Sequence, residues 1–206
     1  ALPILDPLES INIKSDSTYI LALEAQKRGY QLFHYLPENL IYENGRVFAL
    51  GNVFKLFPNK KNFFKKFKTQ KIFLDDCDVV LVRQDPPFNM NYITATYLLE
   101  KVSNKTLILN NPKSIRDNPE KLSMFNFKSV IPPTLISKNI KQCFNFQKKY
   151  KKTIIKPLYG NGGEGISKLE GISAVLKKKI LKLIKDRKST RLNSSHMSES
   201  RMPSSA

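Results

Sequence analysis

Residues 153–169, T-I-I-K-P-L-Y-G-N-G-G-E-G-I-S-K-L, gather the residue types that handle phosphates, a lysine followed closely by glycines at 160, 162, 163 and 165. Gly160, Gly162 and Gly165 satisfy G-x-G-x-x-G, but a dinucleotide fingerprint needs that loop to open a helix, and Ile166-Ser167-Lys168-Leu169 reads as a strand. The P-loop pattern fails too: Ile166 stands where the phosphate-reaching lysine belongs, although Ser167 is in register. What remains is a glycine hairpin between two strands, able to lay backbone N–H groups over phosphates without side-chain obstruction. A plain β-turn is the other reading. Lys156, at the end of the first strand, adds a cation at the same place and favours nucleotide binding.

A second group of chemistry-bearing residues follows the apolar run Val79–Val82, which delivers Arg83 and the rigid loop Q-D-P-P-F. Short apolar strands linked by helices imply a parallel sheet, with ligands at the strands' carboxyl ends. Asp6, Arg83 and Asp85 then share one rim.

The positioning elements are legible as alternating β-rich and helical patterns, the mark of α/β layers. Leu2–Leu5 reads as a strand. Asp16 caps a helix through Ile20, Leu23 and Glu24 to Lys27 and Arg28, stopped by Gly29; Gln31–Leu36 is a second strand. Residues 60–71 hold Phe63, Phe64 and Phe67 at helical spacing, which predicts a packed helix face rather than a base-stacking platform. Asn91–Lys101 has a helical period, and Thr106–Leu109 is a buried strand before the turn N-N-P. Asn118 is a suitable N-cap, with Pro119 at the first helical position and Glu120 and Lys121 in the first turn. The pattern changes here, which places a domain boundary near 115–120. A strand at Thr134–Ile136, a helix capped by Asn139 with Ile140, Cys143, Phe144 and Gln147 on one face, and a strand at Thr153–Lys156 lead to the glycine hairpin. Ser173 then caps a helix striped by Leu176, Ile180, Leu183 and Ile184.

Composition narrows the function classes. The chain is 41% hydrophobic and 25% charged, and no apolar run reaches the ~20 residues that span a bilayer. Cys77 and Cys143, with only His34 and His196 beside them, make neither a disulfide framework nor a zinc site of recognisable spacing. The expectation is a reduced, cytoplasmic setting. The net charge of +18 invites a nucleic-acid reading, but 28 of the basic residues are Lys, 7 are Arg, and 17 Asn accompany them. Arginine is what specific nucleic-acid recognition favours, so a basic solvated surface is the expectation.

The stretch 188–206 stands apart. It is serine-rich, without helical or strand period, and cannot bury enough apolar surface to offset its ordering entropy. It resembles translated sequencing adapter and is expected to be a disordered foreign tail; without it the charge is still +16.

Read in order, the landmarks become specific. They are D-P-x-x-x-I-N-I-K-x-D-S at 6–17, E-A-Q-x-R-G-Y at 24–30, R-Q-D-P-P-F at 83–88, A-T-Y-L-L-E at 95–100, N-x-P-x-S-I-R-D-x-x-E-K-L at 110–122 and I-I-K-P-L-x-G-x-G-G at 154–163. From about residue 2 to 187 the chain resembles the bacterial glutathione synthetases, members of the ATP-grasp ligases. The resemblance implies an α/β protein: a parallel-sheet, Rossmann-like pre-ATP-grasp domain over 1–118, followed by an incomplete ATP-grasp α+β domain over 119–187.

It also implies ATP-dependent joining of γ-glutamylcysteine to glycine through an acyl phosphate, with ATP and Mg2+ as cofactors. A homo-oligomer is expected, with neither nucleic acid nor membrane as partner. By the match, Lys121 and Lys156 contact the nucleotide, and Gly160, Asn161, Gly162, Gly163, Glu164 and Gly165 form the lid over its phosphates. Arg83 is the arginine that meets the peptide substrate, and Ile13, Lys14 and Asp16 border that pocket. Three of them have a structural alternative: Lys121 as a solvated helix lysine, Arg83 as a partner for Asp85, Asp16 as a helix cap, the last being the better reading for Asp16. Tyr159 stands where many relatives carry Asp. The family's magnesium-holding strands lie beyond residue 187, so no metal ligand is named, and the 206-residue chain is expected to be inactive.

Overall fold

A computed structural model describes residues 2–4, 7–58, 62–84, 87–119, 121–159, 163, 165–171, 178, 181 and 190–194. The chain divides into two compact units, Ala1–Pro119 and Glu120–Ala206.

In the first unit, strand β1 (Leu2–Ile4) leads to helix α1 (Ser17–Lys27), which returns the chain to β2 (Leu32–His34) parallel to β1. Asp16 starts α1 by accepting from the Thr18 N–H at 2.7 Å, and Gly29, at φ +86°, releases the chain beyond its end. Three antiparallel strands follow, β3 (Leu40–Glu43), β4 (Arg46–Leu56) and β5 (Phe64–Phe73), giving the order β1-β2-β4-β3 with β5 also paired to β4. Then β6 (Val79–Leu81) and β7 (Leu107–Leu109) form a parallel pair joined by helix α2 (Met90–Leu99), and α3 (Pro112–Asp117) closes the unit. β6 lies beside β1.

Because side chains alternate along a strand, this sheet feeds two cores. Leu32, Phe54, Leu56 and Leu81 join Tyr19, Ala22 and Ala25 of α1. Phe33, Tyr35, Val47, Ala49, Val80 and Val82 join Ala95 and Leu99 of α2. The parallel sheet that the sequence implies is present as β1–β2 and β6–β7, and the rest of the unit's pairing is antiparallel.

Three local expectations are corrected. The described part of residues 60–71, from 62 onward, does not form a helix. The segment from Phe64 onward is strand β5, with a register shift against β4 between Asn52 and Phe54. Phe63 and Phe64 pack toward α1, whereas Phe67 is 41% exposed. Asn118 is not an N-cap: it ends α3, its Nδ2 donating to the Ser114 carbonyl at 3.0 Å. The helix begins seven residues earlier, where Asn111 accepts from Ser114 N–H and Pro112 takes the first position. Lys121 therefore lies in a turn. Finally, β7 is not buried: Leu107 and Leu109 are exposed, and only Ile108 reaches the core.

The second unit is built on the sheet β10-β9-β11-β8: β8 (Thr134–Ser137), β9 (Lys152–Pro157), β10 (Ser167–Glu170) and β11 (Thr190–Ser194), all antiparallel. Helix α4 (Ile140–Tyr150), capped by Asn139, packs Cys143 against Ile155 of β9 and Leu169 of β10. β11 departs from the expectation of a tail without strands. β8 and β9 each pair with it from opposite sides, and such pairing draws on backbone groups that any sequence lacking proline supplies. Leu176, Ile180, Leu183 and Ile184, the stripe of the expected helix, lie outside the described residues, as does the tail from 195 onward.

Candidate functional site

In the first unit the alternation of β6 decides where Arg83 goes. Val80 and Val82 face the α2 core and Leu81 faces α1, so Arg83 emerges on the α1 side. Its Nε donates to Thr18 Oγ1 at 3.0 Å and its Nη2 to Ser17 Oγ at 2.8 Å. The guanidinium is thereby fixed against the first turn of α1, the positive end of the helix dipole, and a planar guanidinium is a group suited to a carboxylate. Asp16 adjoins this corner and acts as the cap of α1. Ile13 and Lys14, both exposed, lie in the turn before it, where Lys14 N–H donates to Asn12 Oδ1 at 3.1 Å and Asp16 N–H to Asn12 O at 2.8 Å. One corner thus holds Arg83, Ser17, Thr18 and Asp16, with Ile13 and Lys14 on the adjoining turn. Asp6 and Asp85, expected on the same rim, lie outside the described residues.

The second unit builds its site on the β9–β10 hairpin. Thr153, Ile155 and Pro157 are buried, which leaves Lys156 half-buried on the opposite face of β9. Lys121, partly buried in its turn, donates from Nζ to the Pro157 carbonyl at 2.9 Å, at the point where β9 gives way to the glycine loop. A chain position far from the hairpin therefore brings a second cation to its base. Gly163 and Gly165 take φ +77° and +73°, in the region that favours glycine, and Ile166 N–H donates to Gly163 O at 3.3 Å. At Gly165 space is also limiting, because a Cβ would fall 2.8 Å from Pro157 Cγ. Gly160, Asn161, Gly162 and Glu164 lie outside the described residues. Two lysines at the base of a hairpin that turns through Gly163 and Gly165 can offer positive charge to an anion such as a polyphosphate.

Behind the hairpin, Gln147 and Thr153 form a buried polar pair that sequence reasoning passed over as part of an apolar helix face. The available signal was an amide in the stripe of Ile140, Cys143 and Phe144. Among the described residues no group of three His, Cys, Asp or Glu side chains could hold a metal ion, so these residues supply no donor set for Mg2+.

The family model described as prokaryotic glutathione synthetase, N-terminal domain, matches residues 1–116, and that of the ATP-grasp domain matches 120–201. The chain is 43% identical over 162 residues to the glutathione synthetase of Agrobacterium fabrum, covering 79% of this chain and 51% of the relative. It is 41% identical over 169 residues to that of Buchnera aphidicola, covering 81% and 52%. The chain thus spans about half the length of the curated relatives it matches. Among solved structures, a RimK domain protein ATP-grasp from Sphaerobacter thermophilus shares the fold at TM-score 0.54 and 12% identity, over 95% of this chain and 63% of that one. The macrocyclase MdnC of Microcystis aeruginosa does so at TM-score 0.53 and 12% identity, over 94% and 64%. With family models matching in tandem across both units, the chain belongs to the prokaryotic glutathione synthetase family.

Proposed function

We propose that this chain carries the nucleotide-gripping hairpin and a substrate-facing corner of an ATP-dependent ligase that joins γ-glutamylcysteine to glycine. A carboxylate oxygen of the dipeptide takes the γ-phosphoryl group of ATP and ADP leaves. The glycine amine then adds to the acyl carbon, a proton is lost and phosphate departs, giving glutathione. Charge is the obstacle, since an anionic carboxylate must approach an anionic triphosphate, so catalysis rests on neutralisation and alignment. Lys121 and Lys156 bind the phosphates, and the loop Gly160–Gly165, including Asn161, Gly162, Gly163 and Glu164, closes over them. Arg83 receives a carboxylate of the dipeptide, with Ile13, Lys14 and Asp16 bordering it. Magnesium neutralises triphosphate oxygens when bound, and none of these roles is routed through it. On the same reading the protein acts in the cytoplasm as a homo-oligomer.

The observation that carries this reading is the bond from Lys121 Nζ to Pro157 O, which holds a cation where the glycine hairpin leaves β9. Isothermal titration with Mg-ATP tests it. Saturable binding is expected, weakened about tenfold or more by Lys156→Ala and by Lys121→Ala, in line with the ~1.5–3 kcal/mol of a charged hydrogen bond. Absence of binding to the wild-type chain overturns the reading. The same preparation, given γ-glutamylcysteine and glycine, is expected to form no glutathione; turnover would refute the inactivity.

A further inference from the structure

The hydrophobic pattern of β9 and β10 fixes which faces are buried, but not the register. A slip of two residues would leave Ile155 and Leu169 facing α4 and change the glycine loop by two residues. Native pairing sets Ser167 opposite Ile155, Lys168 opposite Ile154 and Glu170 opposite Lys152, and confines the loop to residues 158–166. Something other than apolar burial must select that length.

Gln147 is placed to do so. The side chain is fully buried on α4, and its Nε2 donates to the Lys151 carbonyl at 2.7 Å, the Gly171 carbonyl at 3.1 Å and the Leu169 carbonyl at 3.4 Å. Its Oε1 accepts from Thr153 Oγ1. One amide therefore reads the first residues of β9 and the last of β10 at once. The backbone there is shaped to meet it: Lys151 and Gly171 adopt φ +56° and +68°, and Gly171 N–H donates to Lys151 O at 3.0 Å. A two-residue slip would offer Gln147 the next strand carbonyl in place of that of Leu169, but it would carry away Gly171, whose positive φ the side-chain-bearing residues two places along resist, and so leave a buried donor of the amide unmatched.

We propose that Gln147 is a positioning residue that selects the register of the β9–β10 hairpin, and through it the length of the loop over the nucleotide. The consequence for nucleotide rests on the function proposed above; the register selection does not.

Cross-strand cysteine pairs read the register directly, because directly opposed positions reach disulfide geometry and diagonal ones do not. Lys168→Cys is combined with Ile154→Cys for the native register, and with Lys152→Cys or Lys156→Cys for the two slips; the bonds formed are mapped by mass spectrometry. With Gln147 present, only the 154–168 bond is expected. With Gln147→Met, and independently with Thr153→Val, a slipped pair is expected to rise at least tenfold. An unchanged 154–168 bond in both variants overturns the proposal. So does failure of every pair in both, since loss of the pin would then cost the fold rather than the register. Mg-ATP titration of the same variants is separate: if no form binds nucleotide, the function falls while the register result stands.

Discussion

Tyr35 shows what one hydroxyl costs when the fold gives it no partner. The ring is buried in the α2 core beside Phe33, yet among the described residues its hydroxyl is the buried side-chain atom with no hydrogen bond. An unsatisfied buried donor costs about 1–3 kcal/mol. Tyr35→Phe is therefore expected to stabilise the first unit by ~1 kcal/mol or more, read as a higher urea midpoint at unchanged slope. Burial also pushes the phenol above its ordinary range, so the folded state resists ionisation. The sign follows: stability is complete below the unfolded value of about 10 and falls as pH rises beyond it, because only the unfolded chain releases the proton readily. Tyr35→Phe should flatten that alkaline limb, and an identical limb in the variant would refute the assignment. Side-chain chemistry was legible from sequence where it depended on near neighbours, as with the Asp16 cap. It was illegible where it depended on the fold: the hydroxyl anchors of Arg83, the Lys121 bond to Pro157, and Tyr35 itself.

At the scale of elements, legibility followed the same division. Helices α1 and α4 announce themselves because an Asp or Asn cap precedes each apolar period, α2 by its period alone, and β6 and β9 because their apolar runs are short and bounded. The β3–β4–β5 meander did not, although Asn44-Gly45 at φ +49° and +83° is a hairpin signal. Its long strands carry a register shift, and a pattern that changes phase midway has no single period to read. Gly51 marks the tightest point of that meander. A Cβ there would lie 2.1 Å from the His34 carbonyl oxygen and 2.9 Å from the Phe33 ring, so β4 can pass this part of β2 only without a side chain. Gly51→Ala must push backbone apart, and a loss of about 3 kcal/mol or more is expected from denaturant unfolding. Gly45→Ala serves as control: it meets no atom within 4 Å and carries only the strain of its positive φ, about 1 kcal/mol. Equal losses in the two would contradict the close approach.

For the molecule as a whole, the division into two units makes a claim about cooperativity. The first unit holds two apolar clusters on opposite faces of its strands, whereas the described core of the second is one cluster around Cys143, Ile155 and Leu169. Stability scales with buried apolar area, so the second unit should melt first. Differential scanning calorimetry of the full chain is expected to resolve two transitions. Both lysines proposed to bind nucleotide, and the glycine loop with them, belong to the second unit, so Mg-ATP should act on the lower transition alone. At a hundredfold excess over its dissociation constant a ligand adds ~2.7 kcal/mol to the state that binds it. In a unit this small that moves the midpoint by on the order of 10 °C, with the upper transition fixed. Lys156→Ala should abolish most of the shift, measured against that variant's own nucleotide-free lower midpoint. A shift confined to the upper transition would assign the nucleotide to the wrong unit, and the ligase reading would fail with it.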